Sequence, residues 1–425
     1  MKRNPIFIFF FFISVTSIFT QTKIFTREYS YNAGEADSKL SSRVLALTQV
    51  KRILLEEIGM YLESTFETKK EEKQFAGQVT LNELTTQQIT TFTAGVTNTK
   101  ILDEKWNGET YYIKAEITVD VDDVTKQLKV VANDKEKIKE LDALQKQVDD
   151  ANNQIEKLKK ELADAKTKPT QNSEVEKNKI QSSYNEKINI LTANDWFQKG
   201  GNAHKAKDYK GAIDYYTKAI EFNPQLAPVY ANRGSAKLGL EDHRGAIEDY
   251  NKAIEINPKY DFAFSRRGHA KLKLQDYNGA IEDCNTAIEI NPQNTSAYSD
   301  RANTKMSLGD YRGAIEDCNK AIEINPQYAS AYVSRGLTKV KIQDYEGAIE
   351  DYNKAISIVP QDAIPYYNIA CIYSLKKDLN QSLLFLEKSF VWGFNKFKWI
   401  EKDSDFDNIR NTDEFKNLIE KYNKK

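Results

Sequence analysis

The phrase Lys-Ala-Ile-Glu-Ile-Asn-Pro ends at Pro258 and again at Pro326, and Thr-Ala-Ile-Glu-Ile-Asn-Pro ends at Pro292, so the chain repeats itself every 34 residues. Prolines at Pro224 and Pro360 and Ala-Ile-Glu runs beginning at Ala246, Ala280, Ala314 and Ala348 keep the same step. A period of this length excludes a single compact core across the region. Each repeat has an apolar face that only its neighbours can cover, so the repeats must stack.

Within each period two helical patterns alternate. An aromatic column, Trp196, Tyr230, Phe264, Tyr298, Tyr332 and Tyr366, opens the first helix. Four residues later comes a small column, Gly200, Gly234, Gly268, Ala302, Gly336 and Ala370. A second small column, Ala212, Ala246, Ala280, Ala314, Ala348 and Ser382, marks where the returning helix approaches the first. A third, Ala219, Ala253, Ala287, Ala321, Ala355 and Ser389, faces the next repeat. Asp208, Asp242, Asp276, Asp310, Asp344 and Asp378 stand where the second helix begins, as capping carboxylates worth about 1 kcal/mol each.

These columns resemble the tetratricopeptide repeat, and six units follow: 193–226, 227–260, 261–294, 295–328, 329–362 and 363–396. The sixth departs, with serines at Ser382 and Ser389, Leu386 in an aromatic column and Phe394 in place of proline, as a terminal repeat facing solvent requires. Residues 397–425, carrying Trp399, Phe406, Ile409, Phe415, Leu418 and Ile419, are expected to cap it. The fold class is therefore mainly α, a tetratricopeptide α-solenoid preceded by a small α+β domain and a coiled-coil segment.

The resemblance implies a ligand groove lined by first helices, here presenting Phe197, His204, Asn232, Ser235, Arg266, His269, Asp300 and Asn303. Some members of that family clamp a chaperone's terminal carboxylate with Lys, Asn and Arg. Asn232 and Arg266 match two such places, but Phe197 and Gly201 stand where a lysine and an asparagine belong, so the clamp is incomplete.

Ahead of the repeats the pattern changes. Met1, Lys2 and Arg3 precede an apolar run from Ile6 to Phe19, which predicts an export signal over residues 1–20, cleaved or kept as an anchor, and a place in the periplasm or cell envelope. No later stretch is apolar enough for a membrane span. Residues 23–128 predict an α+β domain: a strand near Ile24–Tyr31, a helix with Leu40, Val44, Leu47, Val50, Leu54, Ile58 and Leu62 on one stripe, and a hairpin turning at Asn107-Gly108. This order is similar to the N-terminal module of the flagellar assembly protein T family. Leu141, Val148, Ile155 and Leu162 alternate with Leu144, Ala151, Leu158 and Ala165 over 134–167, which predicts a coiled coil and homo-oligomers, or one helix folded against another part of the chain. Residues 168–192 follow as linker and capping helix.

Chemistry is sparse. The net charge of −1 disfavours nucleic acid. No phosphate loop, nucleophile elbow or zinc-protease motif occurs, and no cofactor is implied. The three histidines are expected at the surface, and Cys284, Cys318 and Cys371 as free buried thiols, since equivalent places in stacked repeats lie about 10 Å apart, too far for a disulfide. Asp403, Asp405, Asp407 and Glu414 have the spacing of calcium ligands, but Asn408 replaces the turn glycine and Arg410 an apolar residue, so capping competes with metal. The function expected is a non-enzymatic scaffold for a protein or peptide ligand; the alternative is an accessory hydrolase or calcium-dependent envelope factor.

Overall fold

The computed structural model describes residues 22–34, 37–70, 93, 97, 99–132, 135–167 and 173–423. The expected export signal lies outside them. Among the described residues no helix is long and apolar enough to cross a membrane. The chain divides into two compact units, residues 1–224 and 225–425.

In the first unit, strand β1 (Thr22–Asn32), helix α1 (Lys39–Lys70) and strands β2 (Thr99–Trp106) and β3 (Thr110–Asp120) build a three-stranded antiparallel sheet in the order β1-β3-β2. Strict alternation along β3 puts Tyr111, Ile113, Ala115, Ile117 and Val119 on one buried face. Leu47, Val50, Leu54, Ile58 and Leu62 of α1 cover that face. The β2–β3 turn forms because the Asn107 side chain accepts from the Glu109 and Thr110 N–H groups, while Gly108 takes φ +102°. Leu40, expected on the buried stripe, is exposed, and Val44 turns to a second cluster described below. Helix α2 (Val121–Ala132) closes the sheet end with Val121, Val124 and Leu128.

Helix α3 (Lys135–Thr167) is the heptad segment and α4 (Ser173–Lys205) packs along it. The short link between them allows only an antiparallel return. The seam residues Ala151 and Ile155 are buried with Tyr184, Ile188 and Leu191 of α4 and with Val44 and Leu45 of α1. Within the chain the seam thus packs as the alternative expectation has it, one helix folded against another part of the chain, and pairing two chains through Ile155 would first strip that residue of its cover, at about 1.5–3 kcal/mol. Helix α4 also runs without a break from the expected capping segment into the first repeat, where α5 (Tyr209–Phe222) packs back on it.

The second unit is a row of helix pairs: α6 (Ala227–Gly239) with α7 (His243–Ile256), α8 (Asp261–Lys273) with α9 (Tyr277–Ile290), α10 (Thr295–Ser307) with α11 (Tyr311–Ile324), α12 (Ala329–Lys341) with α13 (Tyr345–Ile358), and α14 (Ala363–Leu375) with α15 (Leu379–Val391). Every second helix, α5 included, starts at its expected aspartate, whose carboxylate accepts the N–H three residues on, as Asp242 does from Gly245 at 2.9 Å. The glycine column is explained by what faces it. A Cβ on Gly234 or Gly336 would lie 2.9 or 2.6 Å from the ring of Tyr250 or Tyr352.

After Gly393, α16 (Phe397–Ile400), a 3₁₀ turn (Ser404–Phe406) and α17 (Asp413–Asn423) bring Ile400, Phe406, Ile409, Phe415 and Ile419 onto Tyr367, Ala370, Leu386 and Phe390. Trp399 stays about half exposed beside Tyr367.

Candidate protein-binding groove

In the second unit each second helix packs on the first helix of the following repeat, and the first helices α6, α8, α10, α12 and α14 also touch one another in turn. The first helices therefore form the closely spaced inner row, and their unburied sides are the candidate groove face. Residues three apart on each helix share that side, which gives Asn232 and Ser235, Arg266 and His269, Asp300 and Asn303 in successive repeats.

The groove side chains are half-buried or buried and already organised. Asn232 Nδ2 donates to the Pro228 carbonyl at 2.8 Å. Ser235 Oγ donates to the Ala231 carbonyl and lies 3.1 Å from the Tyr250 hydroxyl. Arg266 lies over the Phe262 ring, 5.3 Å from its centroid. His269 Nδ1 is 2.8 Å from Asp300 Oδ1, a contact between neighbouring repeats. This corrects the expectation that His269 is a plain surface residue: the adjacent helix supplies a largely buried carboxylate. Asn303 is half-buried, and its carbonyl accepts from Ser307. Ser265 Oγ is buried with no partner.

Phe197 and His204 belong to the first unit. Phe197 packs against Tyr216 at 5.8 Å and His204 edge-on against Tyr209 at 5.3 Å, so both serve the contact of α4 with α5.

A second set of polar residues holds the first and second helices of each inner repeat together. Arg233, Arg267, Arg301 and Arg335 each grip the aspartate sixteen residues on with both carboxylate oxygens: Asp249, Asp283, Asp317 and Asp351. Lys237, Lys271, Lys305 and Lys339 supply a second cation to the same carboxylates at 2.8–2.9 Å. Each arginine also lies over the aromatic three residues before it, Tyr230, Phe264, Tyr298 or Tyr332. From Arg267 onward the guanidinium reaches back to an asparagine of the preceding repeat, Asn251, Asn285 or Asn319. The aspartates are nearly fully buried, and the two cations facing each one offset the cost of burying a carboxylate. The apolar columns do not reveal this ladder, though its own period of 34 stands in the sequence.

Cys284, Cys318 and Cys371 are free and buried. Burial pushes Cys318 up to about 12, so it stays a thiol at neutral pH. Of the four calcium candidates, Asp403 accepts from the Asp405 N–H and from the Tyr367 hydroxyl, Asp407 is exposed and paired with Arg410, and Glu414 is exposed in the first turn of α17. Capping of the 3₁₀ turn, with Phe406 and Ile409 buried, accounts for Asp403.

Family models of the tetratricopeptide repeat match residues 227–260, 262–294 and 295–328, a TPR repeat model matches 336–376, and another tetratricopeptide repeat model matches 196–226 and 363–390. These are tetratricopeptide repeats. No curated protein matches the chain. Among solved structures, the TPR region is similar to MamA at 24% identity, over 41% of this chain and 94% of that one, with a TM-score of 0.33. It is similar to a thermophilic TPR protein of Thermus thermophilus at 16% identity over 42% and 98%, with a TM-score of 0.40. It is also similar to YrrB, described as a TPR protein with an unusual peptide-binding site, at 20% identity over 44% and 96%, with a TM-score of 0.32.

Proposed function

We propose that this chain is a non-enzymatic scaffold of the cell envelope that holds an extended peptide or protein segment against Asn232, Ser235, Arg266, His269, Asp300 and Asn303. The supporting observation is a division of labour within each TPR. The periodic residues are consumed by packing, capping and the Arg–Asp–Lys ladder, while the side chains that change from repeat to repeat lie together on the inner row. Their mixture of amide, hydroxyl, one guanidinium and one His–Asp pair suits hydrogen bonding to a main chain and polar side chains. A peptide is therefore the first ligand to test. The basic and apolar N-terminal segment supports export. The resemblance of residues 23–124 to the flagellar assembly protein T module supports docking of the first unit to an envelope component.

The test is co-purification from an envelope fraction with the full chain and with Arg266→Ala/Asn303→Ala. The scaffold reading expects a stoichiometric partner retained by the parent chain and lost by the double variant at unchanged melting temperature. A partner retained equally by both, or none retained by either, overturns it.

A further inference from the structure

Cys371 occupies in the sixth repeat the column held by Ser235, His269 and Asn303, but the cap covers it and it is only 6% exposed. Its sulfur and one oxygen from each of Asp403 and Asp405 lie within 4.8 Å of one another. The donors come from two elements far apart in sequence, α14 and the turn after α16. Burial first, then Asp405 and Asp403, pushes the Cys371 thiol well up, and burial with Asp403 also raises the Asp405 carboxyl. Three acidic groups thus converge where charge is poorly tolerated.

An independent observation points into the same place. The Tyr352 hydroxyl is fully buried and has no hydrogen-bond partner. In the second repeat the equivalent Tyr250 hydroxyl meets Ser235, but Leu337 stands at that position beside Tyr352. Burial first, and then Cys371, holds this phenol well above its ordinary value, and the side chain nearest its hydroxyl is Asn368. That Asn368 stands one turn before Cys371, and its Nδ2 is likewise buried without a well-formed hydrogen bond.

We infer that Cys371, Asp403 and Asp405 form a binding site for a divalent cation of zinc type, whose fourth ligand is a water. Calcium and magnesium take oxygen donors, whereas a sulfur beside two carboxylates suits zinc. Bonds of about 2.0 Å to oxygen and 2.3 Å to sulfur place tetrahedral ligands about 3.3–3.6 Å apart, so the three atoms close by little more than about 1 Å, within reach of side-chain rotation. The Tyr367 hydroxyl on Asp403 and the Arg410 guanidinium on the Asp403 carbonyl orient one carboxylate from behind. On binding, the S–H bond breaks, a sulfur–metal bond forms, and one proton leaves to solvent. The ion ties the cap to the last repeat.

Cobalt(II) as a spectroscopic stand-in for zinc tests this on the full chain. The expected result is one ion per chain, with a thiolate-to-cobalt charge-transfer band that zinc bleaches. The band disappears in Cys371→Ser and persists in Cys284→Ser/Cys318→Ser, and affinity falls at least about tenfold in Asp405→Asn. Should Cys371→Ser fail to fold, zinc protection of Cys371 from alkylation is read in the parent chain and in Asp403→Asn/Asp405→Asn, and must be lost in the latter. No charge-transfer band, no protection, or zinc binding unchanged by these substitutions overturns the site and leaves Cys371 a core thiol donating to Asp405.

Discussion

Arg301 holds Asp317 in a fork, Nε to Oδ2 at 2.9 Å and Nη2 to Oδ1 at 2.6 Å, with the carboxylate almost fully buried between the two helices of its repeat. The sixth repeat solves the same packing problem without charge, with Ile369 and Phe385 at the equivalent positions and Phe385 stacked on Tyr373. Removing only the cation strands a buried charge, whereas replacing the pair by apolar residues does not. Arg301→Ala is expected to lower stability by about 3–5 kcal/mol. Arg301→Ile/Asp317→Phe is expected to lose much less, as read by denaturant unfolding.

The facing residues Gly336 and Tyr352 predict a compensated pair. A methyl on Gly336 improves helix propensity by about 1 kcal/mol but meets the Tyr352 ring at 2.6 Å, and overpacking of that kind costs about 1–3 kcal/mol. Gly336→Ala should therefore be net destabilising. Adding Tyr352→Cys, which recreates the natural Ala302–Cys318 combination, should offset part of the loss in a double-mutant cycle.

Gln275 sits at φ +62° before the capping Asp276, and Gly309 fills the equivalent place at φ +84°. A side chain in the left-handed region costs about 1 kcal/mol. Gln275→Gly should recover up to about 0.5 kcal/mol after the larger unfolded-state entropy of glycine, about 0.5–1 kcal/mol, is subtracted, seen as a slightly higher midpoint of thermal unfolding.

Asp195 in α4 is paired with Lys51 of α1 and, at 3.0 Å, with Lys199. Burial acts to raise its carboxyl, but the two ammonium groups outweigh it and hold it below the ordinary value of 3.8. A depressed carboxyl contributes stability that is present above the unfolded value and lost as pH falls through the folded one. The parent protein should thus lose stability on acidification below about pH 4, and Asp195→Asn should be less stable at neutral pH with a shallower acid limb. Urea midpoints measured from pH 7 to pH 3 check both.

How much of this is legible in the sequence follows from period and reach. The helix pairs, the aspartate caps and the glycine column could be read because each recurs every 34 residues with one meaning. The heptad in α3 was legible as a seam, but not its partner: Ile155 meets Tyr184 and Ile188 through a return that periodicity alone does not specify. His269 looked like a surface residue because Asp300, its neighbour in space, lies on the next repeat. Asp403 and Asp405 resembled a linear calcium loop, while their structural companion, Cys371, is far away in sequence.

The central claim is that ligands enter by the inner row of helices and not by the opposite side. A photo-crosslinking amino acid placed at Asn303 reports on the groove, and one at the exposed Glu316 of α11 reports on the second-helix side. With the full chain in envelope extracts, the account predicts a discrete cross-linked partner from position 303 that is absent from position 316 and lost when Arg266→Ala is added. Equal cross-linking from both positions, or a partner captured only from 316, would contradict it.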